Sequence, residues 1–409
     1  MNLYIFNQSS RAAVFGIGTY IQELTAALRN SFINICVINL NSDKLQIQTE
    51  KTDDVWQWYF PEPVSEPRTM DINKQRALYY RNIVYLLQLY IEDKKDLVFH
   101  INYTQSRPLA ESLKEIFECK LVFAVHYLNW CFGLSGNVSQ FRNILASGET
   151  KKDNKLNKSI RESFIEEKAL FKMMDRVICL SENTREMLQN DYQLKPEKIH
   201  VTYNGLTDIK PVTDQSALRR KYHIPDVPIV LFVGRLDDIK GLKYAIQALK
   251  TVLNTQPKCH LIITGNGAFD TYMKECEEIW MHVTWTGLID KKKLYDLYAV
   301  ADMGIMPSLH EQCSYVAIEM MMHGVPLIAS TSTGLKEMVE DGVSGLHIPV
   351  VEHPDKAEID QSLLAEKMLY LLQHSEERKR MGANARKRYE QLYSSEMMRK
   401  NMLNLYTSL

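Results

Sequence analysis

The sequence of 409 residues lacks the features that would place it outside the ordinary globular enzymes. No run approaches the ~20 apolar residues of a membrane-spanning helix, and the N-terminus lacks the hydrophobic core of a signal peptide. The seven cysteines include no Cys-x-x-Cys pair, and cysteine and histidine occur at no spacing typical of zinc ligands. We therefore expect a cytoplasmic protein, with peripheral contact at the inner face of a membrane left open.

Charge of one sign is also not in excess. The formal net charge is -1, from 49 Lys and Arg against 50 Asp and Glu, so no global field attracts the protein to nucleic acid. Any basic binding site must be local. Hydrophobic residues make up 45% and charged residues 24% of the chain, which is typical of a globular enzyme.

Short β-rich runs alternate with helical patterns along the chain, which predicts an α/β fold built on doubly wound parallel sheets. The chain exceeds the roughly 250 to 300 residues at which single cores stop growing, so we expect two domains. In this interpretation residues 1–208 form the first domain, residues 209–226 a polar linker, and residues 227–384 the second domain.

One segment, from Ser135 to Lys158, interrupts this alternation. It is polar, contains Gly, Asn and Lys, and has no sustained period. Long structureless loops are usually either functional or disordered. We therefore expect either a mobile loop beside a cleft or a disordered surface insertion.

A pair of glutamates, Glu311 and Glu319, flanks a predicted strand-to-helix junction, with seven residues between them. The apolar run Met303 to Met306 ends at Pro307, which cannot donate to a sheet, and helix-forming residues follow from Ser314 to Met322. Ligands of open α/β sheets bind beyond the carboxyl ends of strands. Glu311 is therefore placed to meet a ligand, and Glu319 to accept from two ribose hydroxyls. The alternative is that both glutamates are solvated surface charges.

Backbone and cationic groups near such strand ends suit a phosphate. The first N–H groups of the predicted helix, those of Ser314, Tyr315 and Val316, have no intrahelical partner and can bind an anion. Arg235 follows the buried strand of the second domain, and Lys240 stands five residues later at a helix start. Both cations can reach one diphosphate, the arginine as a planar fork and the lysine as a point charge. The alternative is that Arg235 and Lys240 are two solvated basic residues.

The first predicted strand is followed by VFGIGTYIQEL, in which Gly16 and Gly18 allow a ligand to approach the backbone closely just before a helix. A dinucleotide fingerprint would have its third glycine where this chain has Ile21. The pattern therefore favours an anion-binding turn over nicotinamide binding. A tight turn that needs only flexibility is the alternative.

His126 ends the apolar run LVFAVH. A histidine at a strand end can hydrogen-bond a sugar hydroxyl or a developing charge, but a lone histidine is as often a structural hydrogen-bonder. His100 and Asn102, at the end of another predicted strand, are weaker candidates for the same cleft.

The motifs FGIGTY, VICLSENTREML, GRLDDIKGL and EQCSYVAIE occur in this order, followed by HGVPLIASTSTGLKEMVEDGVSGLHIP. Together they resemble the retaining glycosyltransferases of family 4, also described as glycosyl transferases group 1. The resemblance covers most of the chain and is strongest from Val233 to Pro349. It implies the GT-B fold, in which a Rossmann-like acceptor domain and a Rossmann-like donor domain face a cleft. A C-terminal helix, about residues 385–409, is expected to pack back on the first domain.

The resemblance implies a role for each candidate residue. Glu319 would bind the ribose of the donor, Arg235 and Lys240 its diphosphate, and Glu311 its sugar hydroxyls. His126 would touch the donor sugar, and residues 286–288 would border the base. The implied catalytic residues are His126, Arg235, Lys240 and Glu311; the implied donor-binding residues are Gly16, Gly18, Arg235, Lys240, Gly265, Leu288, Glu311, Cys313, Ser314, Tyr315, Val316 and Glu319.

A resemblance of this kind implies a metal-independent hexosyltransferase without a cofactor, whose donor is a nucleotide-diphosphate sugar, UDP- or GDP-linked. Its acceptor would be a glycan, lipid-linked glycan, small molecule or peptide, and nucleic acid would not be a partner. The chain has no Asp-x-Asp pair, which metal-dependent sugar transferases often carry. Retention is expected by attack on the face that the leaving group vacates, with a diphosphate oxygen taking the acceptor proton.

The chain departs from the family pattern at two places. Gln312, Cys313 and Ser314 stand where many relatives have Pro or Gly, Phe and Gly, and Phe15 replaces a second glycine of the N-terminal loop. Both changes bear on the sugar and the acceptor entrance. Two other functions stay open, a GT-B nucleotide-sugar epimerase and a non-catalytic nucleotide-sugar-binding protein. An oxidoreductase would rest on the N-terminal glycine turn alone.

Overall fold

The alternating strands and helices fold into two α/β units in the computed structural model, which describes residues 1–9, 16–63, 71–148, 154–209 and 214–409. Unit 1 consists of Met1–Asn129, Lys151–Gly205 and Ser395–Leu409. Unit 2 consists of Trp130–Thr150 and Leu206–Ser394. Each unit has its own parallel sheet, so the expected α/β class with two doubly wound sheets is confirmed.

The sheet of unit 1 has the order β3-β4-β2-β1-β5-β6-β7-β8. All neighbouring strands are parallel except the β3–β4 pair at one edge. Polar β3, QTEKT, is exposed at every residue, which protects the edge against further strand pairing. The strands are β1 (Asn2–Gln8), β2 (Asn34–Ser42), β3 (Gln48–Thr52), β4 (Val55–Pro61), β5 (Leu97–Ile101), β6 (Cys119–Val125), β7 (Arg176–Cys179) and β8 (Ile199–Val201).

The sheet of unit 2 is parallel throughout, with the order β11-β10-β9-β12-β13-β14. Its central strands are buried apolar runs, as expected for a sheet covered on both faces. A small antiparallel hairpin, β15–β16, follows. The strands are β9 (Ile229–Val233), β10 (His260–Thr264), β11 (Val283–Gly287), β12 (Met303–Met306), β13 (Leu327–Ser330), β14 (Gly345–Ile348), β15 (Val350–Glu352) and β16 (Ala357–Ile359).

Helices connect most of these parallel strands and bury their apolar faces against the sheets. Many begin at a side-chain N-cap of the type that satisfies the first backbone N–H groups, such as Asp71, Asn154 and Ser181. The helices are α1 (Gly16–Leu28), α2 (Ile72–Tyr90), α3 (Arg107–Ile116), α4 (Trp130–Gly133), α5 (Val138–Ala146), α6 (Lys155–Met173), α7 (Glu182–Asn190), α8 (Gln215–Lys221), α9 (Leu242–Thr255), α10 (Phe269–Glu275), α11 (Lys291–Val300), α12 (Tyr315–Met322), α13 (Leu335–Met338), α14 (Gln361–Gln373), α15 (Ser375–Arg388) and α16 (Ser395–Thr407).

Two segments expected to be irregular contain helices. The expectation of a structureless Ser135–Lys158 is wrong, because α5 lies within it and α6 begins at its end. Two buried apolar side chains, Phe141 and Ile144, anchor α5, too few to give a visible period. The expected linker 209–226 contains α8, and Lys221 of this helix and Tyr222, which caps it, donate to the Asp296 carboxylate.

The expected C-terminal helix, about residues 385–409, is divided between α15 and α16. A π-helical turn, Tyr389–Tyr393, separates α15 from α16, and the last residues of the chain group with unit 1. Arg399 of α16 donates to the carbonyl oxygens of Ala27 and Arg29. These bonds satisfy carbonyls at the end of α1, which have no intrahelical donor. Within the described ranges no helix is long and apolar enough to cross a membrane.

A buried carboxyl group stabilises the chain immediately after β6. Glu167 of α6 is 1% exposed; one of its carboxyl oxygens accepts from Asn129 N at 2.7 Å and the other from the Tyr192 hydroxyl at 2.7 Å. Burial raises the pKa of Glu167 from 4.5 to about 7, against the effect of these two hydrogen bonds. The folded chain therefore holds this proton more tightly than the unfolded chain.

We predict that wild-type protein loses stability relative to Glu167→Gln as pH rises from about 4.5 to 7. The sign follows because a carboxyl with a raised pKa stabilises the fold below its unfolded pKa, and this contribution is lost as pH rises through the folded value. The difference changes by at most about 1.4 kcal/mol per pH unit and becomes flat about one pH unit above the folded pKa. Chemical unfolding at several pH values measures it. Parallel pH curves for the two proteins would contradict the assignment.

Candidate functional site

The loops after β9 and β12 meet at the centre of the sheet of unit 2. These strands are neighbours, with β10 and β11 on one side and β13 and β14 on the other, so the winding of the chain reverses between them. Ligands of open α/β sheets bind in the crevice at such a point. Leu309 N donates to the carbonyl oxygen of Ile239 at 2.7 Å, which joins the two loops directly.

A glycine permits this close approach. Gly241 ends the 3₁₀ turn Asp238–Lys240 with φ +70°, in the left-handed region that favours glycine. A Cβ at this position would lie 1.9 Å from the carbonyl oxygen of Pro307. Gly241, the second glycine of GRLDDIKGL, thus allows its neighbour Lys240 to lie against the loop that carries Glu311.

Lys240 and Glu311, predicted separately, form an ion pair. The Lys240 ammonium donates to a carboxylate oxygen of Glu311. Their side chains are 21% and 12% exposed, so both charges are largely withdrawn from water and each compensates the other. The alternative that Glu311 is a solvated surface charge is wrong.

The backbone of Glu311 is fixed by the loop after β13. Glu311 N donates to Thr333 Oγ1 at 3.1 Å, and the Thr333 hydroxyl donates back to the Glu311 carbonyl oxygen. Gly334 N donates to the same carbonyl oxygen at 2.7 Å. A Cβ at Gly334 would lie 1.6 Å from the carbonyl oxygen of Gln312. Three loops therefore share in placing one carboxylate.

Arg235 lies beyond the end of β9, as predicted, and pairs with an acidic neighbour. Its guanidinium lies 3.0 Å from Asp237 Oδ2, while Asp237 Oδ1 accepts from Lys240 N at 3.3 Å. Asp237 thus holds the guanidinium beside the turn that carries Lys240. Both side chains of the Arg235–Asp237 pair remain about one third exposed, so the guanidinium is accessible to an anion.

Helix α12 begins one residue after the predicted helix start. Ser314 is its N-cap residue, and its hydroxyl accepts from Ala317 N. Ser314 N donates to the sulfur of Met338 at 3.3 Å, so this N–H group is engaged within the protein. Tyr315 and Val316 occupy the first turn, where helix N–H groups have no intrahelical acceptor. Of the three N–H groups predicted to bind phosphate, these two fit that role.

Glu319 is buried within α12, at 6% exposure, and the alternative of a solvated surface charge is wrong for it as well. Its Oε2 accepts from the Tyr298 hydroxyl at 2.8 Å, and Lys291 Nζ lies 3.9 Å from its Oε1. Burial and then the nearby carboxylate raise the pKa of Tyr298 well above its ordinary value. The tyrosine therefore stays a proton donor and fixes the orientation of the carboxylate.

The ends of β10 and β11 carry two further predicted residues, Gly265 and Leu288. Gly265 N donates to the carbonyl oxygen of Gly287 at 3.1 Å. A Cβ at Gly265, where φ is +145°, would lie 1.8 Å from the Gly234 carbonyl oxygen, so close packing of the loops alone requires this glycine. Leu288 is 61% exposed, and buried Cys313, the remaining predicted residue of unit 2, is 6% exposed.

Unit 1 holds the other predicted residues, among them His126 after β6. His126 Nε2 lies 2.9 Å from Asn102 Oδ1, and Asn102 Nδ2 donates to the Phe6 carbonyl oxygen. The Asn102 oxygen is therefore the acceptor, which places the imidazole proton on Nε2 and leaves Nδ1 as an acceptor. Burial, followed by His100, lowers the pKa of His126 to about 3, so the ring is neutral at pH 7.

His100 is a structural residue rather than a ligand-binding one. It is fully buried, with Nδ1 2.6 Å from the Tyr406 hydroxyl and Nε2 3.4 Å from the Tyr20 hydroxyl. Burial lowers its pKa to about 3. The expectation that it borders a ligand is wrong, because both ring nitrogens already face tyrosines of α1 and α16.

The N-terminal glycine turn is only partly described. Gly16 begins α1, and nothing lies within 4 Å of where its Cβ would be; Gly18 is buried in the first turn. Phe15, one of the two departures from the family pattern, lies outside the described residues. Ile21, at the third glycine position of a dinucleotide fingerprint, is buried.

Sequence reasoning missed several residues that support the site. His310, directly before Glu311, is 7% exposed, and its Nδ1 has no hydrogen-bond partner among the described residues. Burial, and then Lys240, lowers its pKa to about 3. Thr333 and Gly334 follow a buried strand in the same way as Glu311, which is a signal available in the sequence. Tyr298 gave no such signal, because it lies within a helix.

Two family models match this chain. Residues 214–388 match the model described as Glycosyl transferases group 1, and residues 14–208 match the model described as Glycosyltransferase Family 4. Together they cover most of the chain.

Among curated proteins, the alpha-D-kanosaminyltransferase of Streptomyces kanamyceticus is 26% identical over 216 residues, which are 51% of this chain and 54% of that protein. The chain spans about half the length of the curated relatives it matches. Among solved structures, a sucrose-phosphate synthase from Thermosynechococcus elongatus aligns with a TM-score of 0.76 and 22% identity, over 100% of this chain and 98% of that one. Anabaena Alr3699/HepE in complex with UDP-glucose aligns with a TM-score of 0.73 and 17% identity, over 100% of both chains. These likenesses confirm the GT-B fold.

We predict that removing one partner of the Lys240–Glu311 pair destabilises the chain more than removing both. Lys240→Met or Glu311→Gln leaves a largely buried charge uncompensated, whereas the double variant leaves none. Chemical unfolding of the four proteins gives the coupling free energy, expected at about 1 to 3 kcal/mol.

The exposed pair Lys379–Glu376, at 71% and 84% exposure, is the matched control. Lys379→Met, Glu376→Gln and their combination should give a coupling of less than about 0.5 kcal/mol. Equal couplings for the two pairs would contradict the role of burial.

Proposed function

The chain belongs to the group 1 glycosyltransferases, and on that premise we propose that it transfers a sugar from a nucleotide-diphosphate sugar to an acceptor hydroxyl, with retention and without a metal ion. The acceptor classes are those of the resemblance, a glycan, a lipid-linked glycan, a small molecule or a peptide. The observation that carries the proposal is the Lys240–Glu311 pair at the switch point of unit 2.

Each part of the donor has a suitable group in unit 2. The Arg235 guanidinium and the Lys240 ammonium offer charge-assisted contacts to a diphosphate, and the first turn of α12 offers backbone N–H groups. The buried carboxylate of Glu319 is oriented by Tyr298 and suits the hydroxyls of a ribose. Exposed Leu288 offers an apolar surface to a base.

In this proposal the Glu311 carboxylate binds the transferred sugar. This carboxylate is held by Lys240 and the Glu311 backbone by Thr333 and Gly334. The carboxylate oxygens of Glu311 are therefore oriented before a ligand binds. Hydrogen bonds from two sugar hydroxyls to a fixed carboxylate select for hydroxyl positions. In unit 1, the neutral ring of His126 has Nδ1 as a hydrogen-bond acceptor, which suits the contact with the donor sugar that the resemblance implies.

In the proposed reaction the acceptor oxygen attacks the anomeric carbon on the face that the diphosphate leaves. The bond from that carbon to the diphosphate oxygen breaks, the bond to the acceptor oxygen forms, and the acceptor proton passes to the departing diphosphate. Arg235 and Lys240 stabilise the negative charge that develops on the diphosphate. No protein nucleophile is needed.

A UDP-linked donor has the most direct support. Anabaena Alr3699/HepE was solved in complex with UDP, with UDP and glucose, and with UDP-glucose, and its fold matches this chain over the full length. That similarity concerns the fold, so a panel of nucleotide sugars is needed to test the nucleotide and the sugar.

We predict that one or more UDP-, GDP- or ADP-sugars raise the thermal unfolding midpoint in the presence of EDTA, because a ligand that binds only the folded state stabilises it by mass action. Glu319→Gln should abolish the rise, and Arg235→Gln should reduce it for the free nucleoside diphosphate as well. Arg185→Gln, which removes an exposed pair with Glu182, should behave as wild type. No shift with any donor would overturn the proposal.

Product analysis distinguishes the remaining functions. A glycosyltransferase without an acceptor releases free sugar slowly and keeps its configuration, whereas an epimerase interconverts nucleotide sugars. A protein that binds the donor, yet turns over with none of a broad set of acceptors, is a nucleotide-sugar-binding protein. Loss of turnover in EDTA with restoration by Mg²⁺ or Mn²⁺ would contradict metal independence.

A further inference from the structure

A segment that contains none of the predicted site residues packs against the loop that carries Glu311. We call residues 130–146, with helices α4 and α5, the arm. The chain leaves unit 1 after Asn129 to form the arm, and the arm groups with unit 2. Three independent contacts within unit 2 hold it there.

The first contact is made by a glycine. Gly136 has φ +77°, and a Cβ at this position would lie 2.6 Å from the carbonyl oxygen of Leu309 and 2.7 Å from His310 Cβ. Both distances are shorter than any normal contact of a methyl group. The backbone of the arm therefore rests directly on the two residues that precede Glu311.

The second contact clamps the arm to the β15–β16 hairpin. Asn137 is fully buried; its Nδ2 donates to the carbonyl oxygens of His353 and Lys356 at 2.6 and 2.9 Å, and its Oδ1 caps α5. The Glu352 carboxylate accepts from Val138 N and Ser139 N at 3.1 and 2.9 Å. A carboxylate at a helix N-terminus is favoured by the unpaired N–H groups there.

The third contact is aromatic. The Trp130 ring, 1% exposed, stacks on Phe141 with ring centroids 4.6 Å apart, and its edge meets the His310 ring at a centroid distance of 5.9 Å. His310 is thereby enclosed on the side of the arm, one residue before Glu311. A side chain so enclosed cannot shift without moving the arm.

We propose that the arm is part of the donor site, and that Gly136 and Trp130 are positioning residues for the carboxylate of Glu311. This inference rests on the proposed function and deepens it, since the arm would determine how tightly the transferred sugar is held. Arg235 and Glu319 have no contact with the arm among the interactions described above. Displacing the arm should therefore weaken the hold on the sugar and spare the hold on the nucleotide.

The decisive comparison is Gly136→Ala against Gly148→Ala. Gly148 has φ +66° and nothing within 4 Å of its would-be Cβ, so alanine at the two positions introduces similar backbone strain. Only the methyl at position 136 meets Leu309 and His310. Trp130→Phe and Glu352→Gln are milder variants that test the other two contacts should Gly136→Ala fold poorly.

Calorimetry with the UDP-, GDP- and ADP-sugars of the panel, and with the matching free diphosphates, measures the effect. For the donor that binds wild type, Gly136→Ala should raise the Kd by roughly tenfold or more, with about twofold change or less for the free diphosphate. Gly148→Ala should leave both unchanged. Equal losses for sugar and diphosphate, or equal behaviour of the two alanine variants, would overturn the inference while leaving the proposed function intact.

A measurement without ligand separates the two proposals completely. In hydrogen–deuterium exchange of the full chain, peptides that cover residues 309–314 should exchange faster in Gly136→Ala than in Gly148→Ala, because the loop loses its support. Peptides that cover Arg235 should be unaffected. If loop exchange is the same in both variants, the arm does not position Glu311, whatever the protein binds.

Discussion

The architecture of the candidate site depends on one ion pair, Lys240 with Glu311. Two charges so little exposed are costly to withdraw from water, and the cost is offset only where each meets a partner with good geometry. This requirement couples the loop after β9 to the loop after β12. A phosphate that contacts Lys240 and a sugar that contacts Glu311 would thus be bound by the two members of one ion pair.

Glycines make that coupling possible at the level of the backbone. At Gly241 and Gly334 the space for a Cβ is already filled by a carbonyl oxygen of another loop, so the loops can approach only where no side chain intervenes. These backbone contacts fix the distance between the loops in the folded chain. The result is a site arranged before the ligand arrives, which is the condition for electrostatic stabilisation without reorganisation.

Features that follow from local sequence patterns, such as strands and the loops after them, could be predicted from the sequence. The apolar run Met303 to Met306, ended by Pro307, predicted strand β12 and the loop that carries Glu311, and the start of α12 was predicted one residue early. The arm could not be predicted in the same way, because its position depends on bonds from Asn137 to carbonyl oxygens more than 200 residues later in the chain. The roles of Tyr298 and His100 also follow from tertiary contacts that no local pattern encodes.

The protonation states of two histidines, one in each unit, constrain the proposed chemistry. Burial lowers the pKa values of His126 and His310 to about 3, so both imidazoles are neutral and neither can donate a proton as an acid at pH 7. The cationic groups of the candidate site in unit 2 are Arg235 and Lys240. In the proposed reaction these two groups stabilise the leaving group, and the leaving group itself accepts the proton. That division of roles is the one expected for same-face substitution, in which the protein orients and stabilises while the substrates exchange the proton.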